Sequence, residues 1–350
     1  MNNNLVENRY IYLDVLRIIA AFAVITLHVS AFRFYTSFPS NEWEFCNIYD
    51  SLSRWGVPIF VMISGALFLD QNKPLSIKKL YRKNITRIIC ALVFWSIIYQ
   101  LYKTDSDTTL WFFVCGAIKG PVHLWFLKML LGLYIAIPIL RAIVKDKKTE
   151  IYFLFIAFFT AFILPLFPKS IGLYDSHLES AIENILNTIN LNIAMGFTGY
   201  FVLGHFLHTT NFSSHIKKLL YILGILSFLC VIVLTSWFSH FLNWPNVSFY
   251  DYMFPLTLLE ASAIFVFASD KLNKIPRKYI NYILSLSKLT FGIYLVHILI
   301  RSIANDFFGL NSSICNAMIS IPCLSILIFI VSGIISWILS KIPIVNRYFI

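Results

Sequence analysis

Charge is what this chain has least of: Asp, Glu, Lys and Arg together make up 13% of its 350 residues. A water-soluble domain carries about a quarter, because polar groups must cover its surface. That shortage excludes a protein solvated on all sides. Acids are the scarcer sign, 17 against 28 Lys and Arg, for a net charge of +11. The excess does not point to nucleic acid. Its members collect in short segments between apolar runs, the pattern that orients a chain during membrane insertion. The six cysteines (46, 90, 115, 230, 315 and 323) show no C-x-x-C spacing and no metal-ligand pattern. Those in apolar runs read as small packing residues, while Cys46 and Cys115 fall on one side of the expected topology and could pair. No small-residue cleavage site follows the first apolar run, which itself carries Asp14 and Arg17, so no removable signal peptide is expected.

What the chain does have is apolar surface, 58% of residues. In hydrocarbon every backbone polar group needs an internal partner, which leaves helices or closed barrels. The apolar runs are about 17–25 residues long and lack period-two alternation, so helices are expected. The expected fold is all-α, a polytopic membrane protein of about ten transmembrane helices. The spans are placed at 12–33, 54–70, 85–103, 122–143, 150–168, 190–208, 219–238, 252–269, 283–304 and 313–340. The last is long for one crossing and is expected to tilt or break at Pro322. The aromatic segment 108–118 is too short to cross and is expected at the outer interface. No soluble appendage is long enough to fold by itself, so residues 1–350 read as one membrane domain.

Orientation follows from the basic residues. With the N-terminus inside, only Arg33, Arg54, Lys103, Lys119, Lys128, Lys169 and Arg301 of the 28 fall outside. This bias places both termini in the cytoplasm. The longer outer loop at 169–189 holds Asp175, Glu179 and Glu183.

Ionisable residues inside spans cost about 2.5–3.5 kcal/mol each near a helix centre and so mark sites by default. In the first span Arg17 and His28 lie eleven residues apart, nearly a whole number of turns. They therefore share a face, roughly 16 Å apart along the axis, with Asp14 close to that face. Such a helix can hold phosphate groups at its inner end with Arg17 and present an imidazole, His28, in its outer half. The plainer alternative is that Asp14 and Arg17 form an i,i+3 pair reaching to the interface. His123 opens the fourth span and His297 lies in the outer half of the ninth, so three imidazoles at similar depth can converge. No span carries an i,i+4 His pair, so no metal is expected. Glu260, mid-span in the eighth helix, is a further buried carboxylate, either packed and protonated or part of a polar tunnel.

At these residues the chain resembles the acyltransferase-3 family of integral-membrane O-acyltransferases. The resemblance rests on Leu13-Asp14 followed by Arg17, ten residues and His28. It continues through Ser53-Arg54 to Val57-Pro58-Ile59-Phe60-Val61-Met62-Ile63-Ser64-Gly65, then His123-Leu124-Trp125-Phe126, and Tyr134 with Pro138. Gly199-Tyr200 to Gly204 and Gly292-Ile293-Tyr294 to His297 follow in order. It covers essentially the whole chain and looks closest to the branch containing the enterobacterial common antigen O-acetyltransferase. Two positions depart from the family. Asn84 replaces the first of two arginines three apart, leaving Arg87, with Arg82 or Lys83 as substitutes, and Ile18 replaces a glycine.

The resemblance implies a multi-pass protein of the bacterial cytoplasmic membrane, with acetyl-CoA as cosubstrate and no bound cofactor. The implied acceptor is a hydroxyl of a cell-surface or lipid-linked glycan. His28 is expected as general base or transient acetyl carrier. Arg17, with Arg82 or Arg87, would bind the donor phosphates, and His123 and Arg54 would orient the acceptor or the oxyanion. Asp14, Glu260 and His297 are expected in support. Two other classes share the many spans and intramembrane charges: a flippase of lipid-linked sugars, which often shows internal repeats that this chain lacks, and a surface-polysaccharide polymerase, which would carry a larger outer loop.

Overall fold

The computed structural model of the protein describes residues 10–104, 108–167, 176–189, 196–272 and 275–350. Among them the regular elements are helical, as a chain that must satisfy its backbone in lipid requires. The chain is an all-α polytopic membrane protein. Eight helical stretches among the described residues are long and apolar enough to cross a bilayer. The first is α1 (Ile11–Ser30). The second joins α2 (Asn41–Ser51) to α3 (Gly56–Phe68), and so begins well before the expected residue 54. The added part turns apolar and polar side chains alike inward: Trp43, Cys46, Asn47 and Asp50 are buried.

The third stretch (Ile77–Lys103) passes near its start through the π-helical segment Leu80–Ile85 and continues as α4 (Thr86–Lys103). The short α5 (Leu110–Lys119) buries none of its residues, with Leu110, Trp111, Phe112 and Ile118 all exposed. Then come α6 (Trp125–Ile143), α7 (Lys147–Ala157), carried on by a second π segment (Phe158–Ile163), and α8 (Ser176–Ile189). The chain ends with α9 (Phe197–Thr209), α10 (Ser214–Leu242), α11 (Pro255–Lys271), α12 (Arg277–Phe308), α13 (Ala317–Leu339) and the short α14 (Pro343–Tyr348). Pro322 lies inside α13, which continues unbroken through it.

Two of the ten expected spans are not among the eight. The α7 helix with its π segment and the 13-residue α9 are short, and residues 190–195 of the latter's expected span lie outside the described residues, as do Lys169 and Asp175. Protein rather than lipid surrounds α9, which buries Gly199, Tyr200, Phe201, Val202, Gly204, His205 and Leu207. It crosses α3 backbone to backbone. A Cβ on Gly65 would stand 1.7 Å from the Phe201 carbonyl oxygen, and one on Gly204 would stand 2.1 Å from that of Met62. Only glycine permits that approach.

Helix α1 is the centre of the bundle. Of its most apolar window 67% is buried within the protein, against 22% for α10, so α1 meets neighbours and α10 meets lipid. It packs against α2, α3, α11, α12 and α13. Polar clamps fix the surrounding helices. Glu42 accepts from the Ala317 N–H (2.6 Å) and from the Asn316 amide (2.9 Å), capping α13, while Arg33 pairs with it at 3.1 Å. Arg141 on α6 donates to the main-chain oxygens of Phe68, Asp70 and Lys73, satisfying carbonyls at and beyond the end of α3. Buried Glu150 pairs with His205 (2.7 Å) and Lys147 (2.9 Å), joining α7 to α9.

All six cysteines are free, so Cys46 and Cys115 do not pair. Cys46 alone is buried; Cys230, Cys315 and Cys323 are exposed on the bundle's outside rather than packed within it.

Candidate functional site

The site is built on α1 and α12, which lie side by side. His28 on α1 and His297 on α12 bring their rings to a centroid separation of 5.3 Å. His123, in the 3-10 turn before α6, stands 5.6 Å from His297. The three imidazoles, spaced far apart in sequence, therefore form one cluster with His297 at its middle. His123 and His297 are buried and His28 is half-buried.

The ring of His297 is fixed. Its Nδ1 lies 2.6 Å from the Tyr294 main-chain oxygen, which can only accept, so Nδ1 carries the proton. Its Nε2 is then an acceptor, buried and without a hydrogen-bond partner, as is Nε2 of His123. Around His297 the ladder of α12 is opened by a neighbouring side chain. The Tyr99 hydroxyl, from α4, donates to the Leu295 oxygen (2.8 Å) and accepts from the Leu299 N–H (3.0 Å). Those two groups are helix partners four apart, and an inserted hydroxyl is a recognised cause of a local bend. The Tyr99 ring also stands 4.8 Å from His123. Tyr294 donates to the His123 main-chain oxygen at 2.5 Å, and Arg301 donates to that of His28 at 2.7 Å. Each histidine is thus held by a residue of α12.

A cavity of about 280 Å³ lies between Tyr294, beside this cluster, and Arg17 toward the other end of α1. Arg17, Arg87 and Lys288 line one end and Tyr294 the other, with Phe60, Phe126, Leu130, Tyr134 and Phe291 forming apolar walls between. Tyr294 is three residues before His297, so the cavity ends one helical turn from the imidazoles. Arg17 is 28% exposed and bonds Asp14 at 3.2 Å. Asp14, 2% exposed, also accepts from Ser287 at 2.6 Å. The expected i,i+3 pair is present, and its arginine faces the cavity as well. Asn84 also lines the cavity, whereas Arg82 does not. The π turn of Leu80–Ile85 leaves Arg82 and Lys83 on a second, larger recess of about 550 Å³, and Arg87 lines both spaces.

Arg54 is nearly enclosed, ion-paired with buried Asp50 and lying 4.4 Å over the Tyr250 ring. It contributes with Arg301 to the field at His28. Glu260 stands apart from the rings. Neither of its oxygens has a hydrogen-bond partner, and its electrostatic neighbours are Arg54 and Tyr200. Among the described residues no group of three or more His, Cys, Asp or Glu is disposed to hold a metal ion.

Sequence reasoning missed Asp50, Tyr99 and Arg301. Two of these carried a signal: Asp50 precedes Arg54 by four residues, and Arg301 follows His297 by four, the spacing of one helix face. Tyr99 had none, since an aromatic in an apolar span reads as packing.

The acyltransferase-3 family model, described as an acyltransferase domain, matches residues 10–341. No curated protein and no solved structure matches the chain.

Proposed function

Because the chain belongs to the acyltransferase-3 family of membrane acyltransferases, we propose that it moves an acetyl group from acetyl-CoA to a hydroxyl of a cell-surface or lipid-linked glycan. The reading includes a bacterial cytoplasmic membrane, with the Arg17 end of the bundle facing the cytoplasm. The nearest functional analogue would be the enterobacterial common antigen O-acetyltransferase branch. One observation carries it: a cavity with cations at one end and apolar walls stops one turn short of three clustered imidazoles. Coenzyme A has the matching polarity, phosphates at one end and a reactive thioester at the end of a long uncharged arm.

The chemistry requires removal of the acceptor hydroxyl proton and stabilisation of the oxyanion that forms at the thioester carbonyl. His28, half-buried and without a fixed side-chain bond, serves as general base. The acceptor oxygen forms the new C–O bond, the C–S bond breaks, and the thiolate leaves with the proton from the imidazolium. His297, with its tautomer fixed, packs its ring beside that of His28, with centroids 5.3 Å apart. His123 and Arg54 face the acceptor, and Arg17 and Arg87 bind donor phosphates. Asp50 tempers the charge of Arg54. If instead His28 carries the acetyl group between substrates arriving from opposite sides, the same residues serve, and an acetyl-imidazole is the intermediate.

The test is release of label from acetyl-labelled acetyl-CoA by purified protein in nanodiscs, wild type beside His28→Ala. General-base loss should lower kcat by about 10²–10⁴-fold with CoA binding retained. A wild-type protein that neither binds CoA nor turns over with cell-envelope glycans added would sink the reading.

A further inference from the structure

The larger recess that shares Arg87 with the donor cavity is walled on one side by the carboxy-terminal segment. Lys78, Lys79, Arg82, Lys83, Arg87 and Arg347 all line it, together with Ser76, Asn346 and Tyr348, and no carboxylate does. Among the described residues none of these six cations forms an ion pair with Asp or Glu. Six cations around about 550 Å³ of space, unbalanced by any Asp or Glu among the described residues, make a strongly attractive field for a polyanion.

Arg347 belongs to α14, and residues 342–350 follow the stretch that the family model matches. Its presence at the recess is nonetheless structurally fixed. The Trp95 indole donates to the Phe349 main-chain oxygen at 2.9 Å. The Phe349 ring stacks on Phe94 at 4.6 Å. Ile350 is buried, and Arg87 donates to its main-chain oxygen. The segment is therefore docked on α4, and the docking presents Arg347 across the recess from the Lys78–Lys83 turn.

We infer that α14 completes the donor portal and that Arg347 binds a phosphate of the nucleotide end of coenzyme A. This rests on the acetyl-CoA reading above. Arg87 lines both spaces and so stands between them. The nucleotide occupies the basic recess, the arm passes Arg87, and the thioester reaches Tyr294. Anionic lipid headgroups offer the same phosphate chemistry at this face, so the membrane of the assay must be chosen to separate the two.

The experiment is steady-state kinetics in nanodiscs of zwitterionic lipid, with acetyl-CoA and with S-acetyl-pantetheine, which lacks the nucleotide. Arg347→Ala should raise KM for acetyl-CoA by about tenfold, one charge-assisted contact at a solvated site. It should leave KM for S-acetyl-pantetheine and both kcat values where they were. Arg347→Lys, which keeps the charge, should recover part of the loss. Thermal unfolding run in parallel checks that α14 stays docked. Unchanged KM for acetyl-CoA, or an equal rise for both donors, overturns the inference. So does an effect seen only when anionic lipid is added, which assigns the recess to lipid. A wild type inactive with both donors removes the acetyl-CoA reading itself, and this inference with it.

Discussion

Arg301 donates a 2.7 Å hydrogen bond to the main-chain oxygen of His28. It does so from one helical turn beyond His297, whose ring faces that of His28 at 5.3 Å. Two points of contact therefore tie the α1 histidine to α12: one through its backbone, one across its ring. A helix in a bundle can slide or rotate by fractions of an ångström at little cost. The paired contacts suppress that freedom at the residue where a proton must move.

Arg301→Lys should therefore lower kcat while sparing donor binding. Lysine keeps the charge but lacks the planar fork, so the bond to the His28 oxygen lengthens or is lost. Misplacement of a reacting group by about an ångström can cost as much as a hundredfold, and a lysine that partly reaches should cost nearer tenfold. Turnover and CoA affinity, measured on one preparation, check it. Weakened CoA binding at constant kcat would move Arg301 from positioning to the donor site.

Tyr99→Phe tests the inserted hydroxyl. Without it the Leu295 oxygen and Leu299 N–H can bond each other again, so stability should change by only about 1 kcal/mol. Straightening α12 there turns His297 relative to His28, and turnover should fall several-fold. A variant with wild-type kcat would show that the opened ladder is packing alone.

Gly65→Ala and Gly204→Ala should damage the fold rather than the chemistry. A methyl placed 1.7 Å or 2.1 Å from a carbonyl oxygen cannot be absorbed by a side chain moving aside, since the obstacle is backbone. Helices α3 and α9 must separate, at about 1–3 kcal/mol or more. Melting temperature in a membrane mimic should drop for both. Surviving protein should retain CoA affinity, because neither glycine lines the cavity.

The helical class and the long apolar spans were legible because hydrocarbon allows few alternatives to a continuous apolar helix. What sequence could not show is where a helix meets protein instead of lipid. Asn41–Ser51 reads as a loop because Asn, Asp and Glu interrupt it, yet those groups are satisfied by helices far away in sequence: Asn47 bonds the Ile232 oxygen and the Tyr250 hydroxyl. The half-length α9 escapes a length rule for the same reason. The imidazole cluster was partly legible, since depth along each span follows from counting residues. Which faces meet does not, and the partners that fix the rings, Tyr99 and Arg301, contribute through main-chain oxygens that leave no trace in side-chain patterns.

Arg17 allows a sharper separation of function from packing, because it has two jobs. It lines the donor cavity and it bonds Asp14, which is 2% exposed and also held by Ser287. Arg17→Ala removes a phosphate-binding cation and at the same time takes a partner from a buried carboxylate, so loss of activity alone would be ambiguous. The double variant Arg17→Ala, Asp14→Asn resolves it. Asparagine stays close in shape and keeps an acceptor for Ser287, but needs no compensating charge. If Arg17 serves the donor, the single variant should lose both melting temperature and CoA affinity. The double variant should then recover melting temperature while CoA affinity stays low by about tenfold or more. Recovery of CoA affinity along with stability would mean that Arg17 acts only by satisfying Asp14. The cation at the cavity's end would then be Arg87 or Lys288, and the same titration on those two variants would identify it.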